Sequence, residues 1–165
     1  MEKEFYTKIA DMINCAITAY EELLELYLEK KEALIKQDKE NLASVDDKII
    51  VHVKTINGLN EKRDKYCKEN GIETAKITEL IELAREEMPE LQEVFKQQKI
   101  KIREVADKIA LTDNTNVELL KHSLTMSDKI LDIIMSAAMP QKDNYDKHGK
   151  NIESELSIGS IVEDA

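Results

Sequence analysis

Residues 89–138 read PELQEVFKQQKIKIREVADKIALTDNTNVELLKHSLTMSDKILDIIMSAA. Alternating steps of four and three from Leu91 give Leu91, Phe95, Gln98, Ile102, Val105, Ile109, Thr112, Asn116, Leu119, Ser123, Met126, Ile130, Ile133 and Ala137. This is a heptad seam with no Gly or Pro inside it after Pro89, and it predicts one long helix. At about 1.5 Å per residue such a helix is roughly 75 Å long. A helix of that length needs partner helices, and the rest of the chain must supply them.

Working back toward the start, residues 3–37 carry a second seam: Ile9, Ile13, Ala16, Tyr20, Leu23, Tyr27, Lys30 and Leu34. Met12, Ala19, Leu26 and Ala33 widen it on one side, and Ile17 and Leu24 on the other. A stripe that wide is expected to touch two neighbours, as in a bundle. At Lys36-Gln37-Asp38 the spacing slips by one residue, because Leu42 lies eight positions after Leu34. Asp38 suits the cap of a new helix, with Glu40 in its first turn. The slip reads either as a turn into an antiparallel neighbour, which is preferred, or as one continuous helix that absorbs an extra residue.

The next helix, over 39–69, has the seam Leu42, Val45, Ile49, His52, Ile56, Leu59, Arg63 and Tyr66, and Gly71 stands where a C′ glycine belongs. Gly58 is either tolerated within a packed helix or marks a close crossing. Residues 76–87 form a short connecting helix holding Leu80, Ile81, Leu83 and Ala84, capped by Thr74 or Thr78. Pro89 fits the first turn of the long helix. After Ala138 the chain is polar and turn-rich, then acidic, and a flexible tail is expected over 139–165. The fold class is therefore all-α: an elongated antiparallel bundle or coiled coil over 1–138, with a very long last helix.

The chain has 165 residues with 35% charged, four Gly, two Pro and a net charge of −10. Acidity of that size argues against nucleic acid and against anionic membrane surfaces, both of which call for clustered Lys and Arg. No secretory leader is read at Met1-Glu-Lys-Glu, and no apolar run reaches the ~20 residues of a membrane helix. Cys15 and Cys67 are expected as reduced thiols of a cytoplasmic protein. Catalytic patterns are missing: no CxxC, HExxH or Gly-rich loop occurs, and neither His52 nor His122 has a Glu three residues before it. The expectation is no enzyme, no metal and no cofactor.

Polar residues within the long seam stand out instead. Gln98, Thr112, Asn116 and Ser123 occupy places that stability alone would fill with Leu or Ile. They read as register control, as exposure where fewer helices surround this one, or as part of a partner surface. Beyond Asn116 the helix is apolar again. Leu119, Leu120, Met126, Ile130, Ile133 and Ile134 are the candidate protein-binding residues, with Met126, Met135 and Met139 as adaptable side chains. A lone aromatic, Tyr145, follows in a polar stretch and suits a small transient interface.

Several segments together resemble the FlgN family of flagellar export chaperones. They are Tyr27-Leu-Glu-Lys-Lys-Glu-Ala-Leu-Ile-Lys-Gln-Asp, the restart at Asp38 to Leu42, Lys62-Arg63 before the Gly71 turn, and Ile77-Thr78-Glu-Leu-Ile81. The polar interruption at Asn114, Asn116, Leu119 and Ser123 also matches, and Asn144-Tyr145-Asp-Lys-His-Gly149 is similar to a Tyr-x-x-x-Gly element after the family's last helix. The resemblance implies a cytoplasmic chaperone that holds the hook-filament junction proteins FlgK and FlgL unpolymerised. It implies client binding at the end of the last helix, here Leu119 to Met139 onward, and docking on the export gate component FlhA through Tyr145. The chain itself is expected as a monomer or weak dimer. The competing expectation is a self-associating coiled-coil scaffold or adaptor.

Overall fold

The computed structural model describes residues 3–73 and 76–138, and these form four helices: α1 (Lys3–Lys36), α2 (Lys39–Glu69), α3 (Ile77–Glu87) and α4 (Pro89–Ala138). The chain divides into two compact units, one ending at Ser123 and one beginning at Leu124. The expected tail over 139–165 lies outside the described residues.

The reversal between α1 and α2 is built locally. Gln37 adopts a left-handed φ of 56°. Its N–H donates to Leu34 O (3.2 Å) and the Asp38 N–H donates to Ala33 O (2.9 Å), which is the Schellman way of closing a helix. Asp38 then opens α2, with its carboxylate accepting from the Asn41 N–H at 3.0 Å. The end of α2 repeats the device with the residue type that suits it. Gly71 takes φ 80°, and the N–H groups of Gly71 and Ile72 donate to Lys68 O and Cys67 O. Ile72 folds back into the core beside this turn.

The cap of α3 differs from expectation. Lys76 is its N-cap and makes no side-chain cap bond, while Thr78 is already inside the helix. Thr74 lies outside the described residues. Met88 alone separates α3 from α4, and it leaves the helical region, which a following proline disfavours.

The first unit packs α2 antiparallel to α1. Lys30 pairs with Asp46 (2.8 Å), Lys48 with Glu29 (3.4 Å), and His52 Nε2 lies 2.8 Å from Ala19 O. The part of α4 in this unit runs parallel to α1, since Lys3 meets Glu90, Gln98 meets Ala10, and Asn116 meets Tyr27. Two cores fill it. One gathers Phe5, Tyr6, Ile9, Ile13, Cys67, Leu80, Ile81 and Phe95, where all four helices contribute. Phe5 stacks on Tyr66 with ring centroids 5.6 Å apart, and meets Tyr6 edge-on at 5.3 Å. The second core joins Ala19, Leu23, Val45, Ile49 and Ile56, with Ile109 of α4 against it. The wide stripe of α1 thus serves both neighbours. Gly58 marks no close crossing, because a Cβ added there meets nothing within 4 Å. Both cysteines are free, Cys15 exposed and Cys67 buried.

Candidate functional site

The α4 seam changes character along its length. From Leu91 to Leu119 every seam residue is buried or half-buried. Two of the polar ones reach α1. Gln98 Nε2 donates to Ala10 O and to Asn14 Oδ1, each at 2.9 Å, and Asn116 Nδ2 donates to Tyr27 O at 3.0 Å. These are the register contacts that polar seam residues can supply. Gln98 Oε1 and Asn116 Oδ1 remain buried without a partner. Thr112 and Ser123 behave differently. Their hydroxyls donate back to Lys108 O and Leu119 O, one turn earlier in the same helix.

His52 is a satisfied histidine. Besides Ala19 O, its Nε2 lies 3.3 Å from a Glu22 carboxylate oxygen. The aromatic hydroxyl in the core is satisfied too: Tyr6 OH donates to Glu87 at 3.0 Å. Burial, then the Glu87 hydrogen bond and charge, push the Tyr6 phenol up to about 12. Burial also raises the Tyr27 phenol and the Cys67 thiol, so Cys67 is no activated nucleophile. Among the described residues no cluster of His, Cys, Asp and Glu is placed to hold a metal ion.

The second unit contains the last turns of α4 from Leu124. Each of its described side chains up to Ala137 is exposed. Exposure reaches 66% at Leu124, 46% at Met126, 52% at Ile130, 68% at Ile133 and 55% at Ile134. At about 100° per residue, Ile133, Met126, Ala137, Ile130, Ile134, Leu131, Leu124 and Met135 cover roughly half of the helix circumference, with Ser127 the one polar residue of this unit among them. Asp128, Asp132, Thr125, Ser136 and Lys129 occupy the other half by the same projection. An apolar half-cylinder in water is an interaction surface before it is anything else.

Of the sequence-derived candidates, Met126, Ile130, Ile133 and Ile134 belong to this surface. Leu119 and Leu120 lie in the first unit and are half-buried. Leu124 and Leu131 are additions. They stand off the seam, on the parallel ladder Leu120, Leu124, Ser127, Leu131, Ile134, which a second pass at the same four-three spacing identifies. Tyr145 lies outside the described residues.

A helix that displays an apolar half to water is suited to binding another protein. The family comparison agrees. The model described as FlgN protein matches residues 1–153. The chain belongs to the FlgN family. That family is one of flagellar export chaperones, so this member is a flagellar export chaperone that binds flagellar proteins, and its family is not an enzymatic one. No curated protein and no solved structure matches the chain. No described helix of this FlgN protein is long and apolar enough to cross a membrane.

Proposed function

We propose that this FlgN protein works in the cytoplasm, holds the hook-filament junction proteins FlgK and FlgL unpolymerised, and delivers them to the export gate component FlhA. One observation carries the reading: the apolar half of α4 in the second unit, with Met126, Ile130, Ile133 and Ile134 exposed. A client segment that polymerises through an amphipathic helix needs just such a wall, read at i, i+3, i+4 and i+7. The two exposed methionines, Met126 and Met135, adapt their shape to more than one client. Leu119 and Leu120, half-buried, have less side chain to offer.

Export demands release. An interface near the standard size of about 800 Å² per partner, rather than a core-like one, allows it. Tyr145 is the proposed contact to FlhA, since a tyrosine anchors a small transient interface at low rotamer cost.

Calorimetry tests the client arm. Purified FlgK and FlgL are expected to bind the chain one to one and to lose their tendency to polymerise. Absence of binding to both would remove the client assignment. For the gate arm, Tyr145→Ala is expected to leave client affinity intact and to weaken FlhA binding by roughly tenfold, about 1.4 kcal/mol. Self-association through the same apolar half is the other use of such a surface. A stable dimer by light scattering, with no client bound, would favour the scaffold reading.

A further inference from the structure

A cavity of about 330 Å³ opens in the first unit, between the middle of α1, the later part of α2, the start of α3 and α4. Arg63 and Lys76 line it, with Asn60, Tyr20, Ile77 and Ile102. In a chain with 34 acidic and 24 basic residues, none of its lining residues is acidic.

Arg63 is the centre of the inference. It stands at a seam position of α2, where an apolar residue would be expected, and its side chain is only 15% exposed. Its Nε is buried and has no partner. Among the described residues its ion pair is to the exposed Asp64, at 3.9 Å, too long for a hydrogen bond. Lys30 shows what a satisfied seam cation looks like in this fold. It is 17% exposed and meets Asp46 at 2.8 Å. A guanidinium Nε–H withdrawn from water with no acceptor among the described residues carries an uncompensated desolvation cost. An oxyanion entering the cavity supplies the missing acceptor, in the forked geometry that guanidinium favours.

Two further features point the same way. Lys76 brings a second cation. It also caps α3 without a side-chain bond, so the first-turn N–H groups of Ile77 and Thr78 have no acceptor within the helix. The remaining wall is apolar, formed by Ile77, Ile102 and the Tyr20 ring. At about 30 Å³ per water the cavity holds roughly ten, far more than one carboxylate fills.

We infer that this cavity binds a carboxylate carried on a short apolar body, with Arg63 and Lys76 holding the carboxylate and Ile77 and Ile102 packing the body. A free short-chain acid and the C-terminal residue of a polypeptide share this chemistry.

Nuclear magnetic resonance titration of the full chain tests it, with hexanoate as the probe. Saturable shifts are expected at the Arg63 Nε–H, the Asn60 side-chain amide and the Ile77 and Thr78 backbone N–H groups. Hexanoate should bind at least about tenfold more tightly than acetate, inorganic phosphate or hexan-1-ol, because only hexanoate satisfies both walls. Arg63→Met keeps the bulk and should abolish saturation. Lys76→Gln changes an exposed residue, leaves the fold intact, and should weaken binding several-fold even if Arg63→Met unfolds. A peptide ending in leucine with a free carboxylate, compared with its amide, distinguishes the sources: preference for the free peptide over hexanoate assigns a polypeptide terminus, and the reverse assigns a free acid. Shifts that never saturate, equal affinity for acetate and hexanoate, preference for phosphate, or a Lys76→Gln affinity equal to that of the parent chain would each overturn the inference.

Discussion

Replacing Asn116 with leucine tests what the polar residues of the α4 seam contribute. Asn116 is 1% exposed, donates one hydrogen bond to Tyr27 O, and leaves Oδ1 buried without a partner. Losing the hydrogen bond costs about 1 kcal/mol net. Removing the orphaned Oδ1 returns about 1–3 kcal/mol, because its desolvation is no longer uncompensated. The two methyls are bulkier than the amide they replace, and overpacking takes back about 1–2 kcal/mol. Burial of the added apolar surface contributes about 1–2 kcal/mol in the other direction. The balance is a gain on the order of 1 kcal/mol, or a midpoint rise of about 3 °C. Asn116→Ala has no such gain, and its smaller side chain should cost about 1 kcal/mol. Urea unfolding followed by circular dichroism measures both. A loss of more than about 1 kcal/mol in Asn116→Leu, at unchanged m-value, would refute the reasoning and show that the carboxamide is fully satisfied.

Ile13→Asp should destabilise the bundle by several kcal/mol while Lys108→Asp changes little, because Ile13 is fully buried and Lys108 is exposed; equal shifts in denaturation midpoint would contradict the core assignment. At the hairpin, Gln37→Gly should stabilise by about 1 kcal/mol by relieving a left-handed non-glycine residue, and Asp38→Ala should cost about 1 kcal/mol by removing the α2 cap. Thermal melts of the two variants check the pair. The raised phenol of Tyr6 makes alkaline stability testable. Its folded value of about 12 lies above the ordinary 10, so its contribution is complete below pH 10 and is lost as pH rises through 12. Tyr6→Phe should flatten the decline in stability between pH 10 and 12 relative to the parent chain, and an unchanged slope would show that Tyr6 does not report this titration.

Much of the fold is legible in local chemistry. The uninterrupted four-three spacing from Leu91 marks the long last helix, because no other element tolerates it for so many turns. The one-residue slip at Asp38 coincides with a carboxylate able to cap, and Gly71 stands where a left-handed residue is needed. The cap of α3 was less legible. Thr78 has the right chemistry, yet packing of Ile77, Leu80 and Ile81 into the first core draws the helix start back to Lys76. The exposed apolar surface of α4 was legible in part for a similar reason. Heptad spacing finds one stripe, so Met126, Ile130 and Ile133 emerge from it. Leu124 and Leu131 stand off that stripe, on a second ladder of the same spacing, and their exposure shows that both ladders are open to water. Periodicity also cannot say whether a stripe is covered. Val105 and Met126 read alike in sequence, and one is buried while the other is open to water. Arg63 was visible as a seam residue, but its missing acceptor depends on what α3 and α4 bring near it.

The exposed apolar half of α4 is proposed to hold client helices rather than to stabilise the fold. Affinity for purified FlgK and FlgL, measured by calorimetry beside a thermal melt for Met126→Asp and Ile133→Asp, tests it most directly. The midpoint is expected to stay within a few degrees of the parent chain, since both side chains are already exposed, while client binding becomes at least about tenfold weaker. Unfolding of both variants, or client binding at full strength in both, would contradict it.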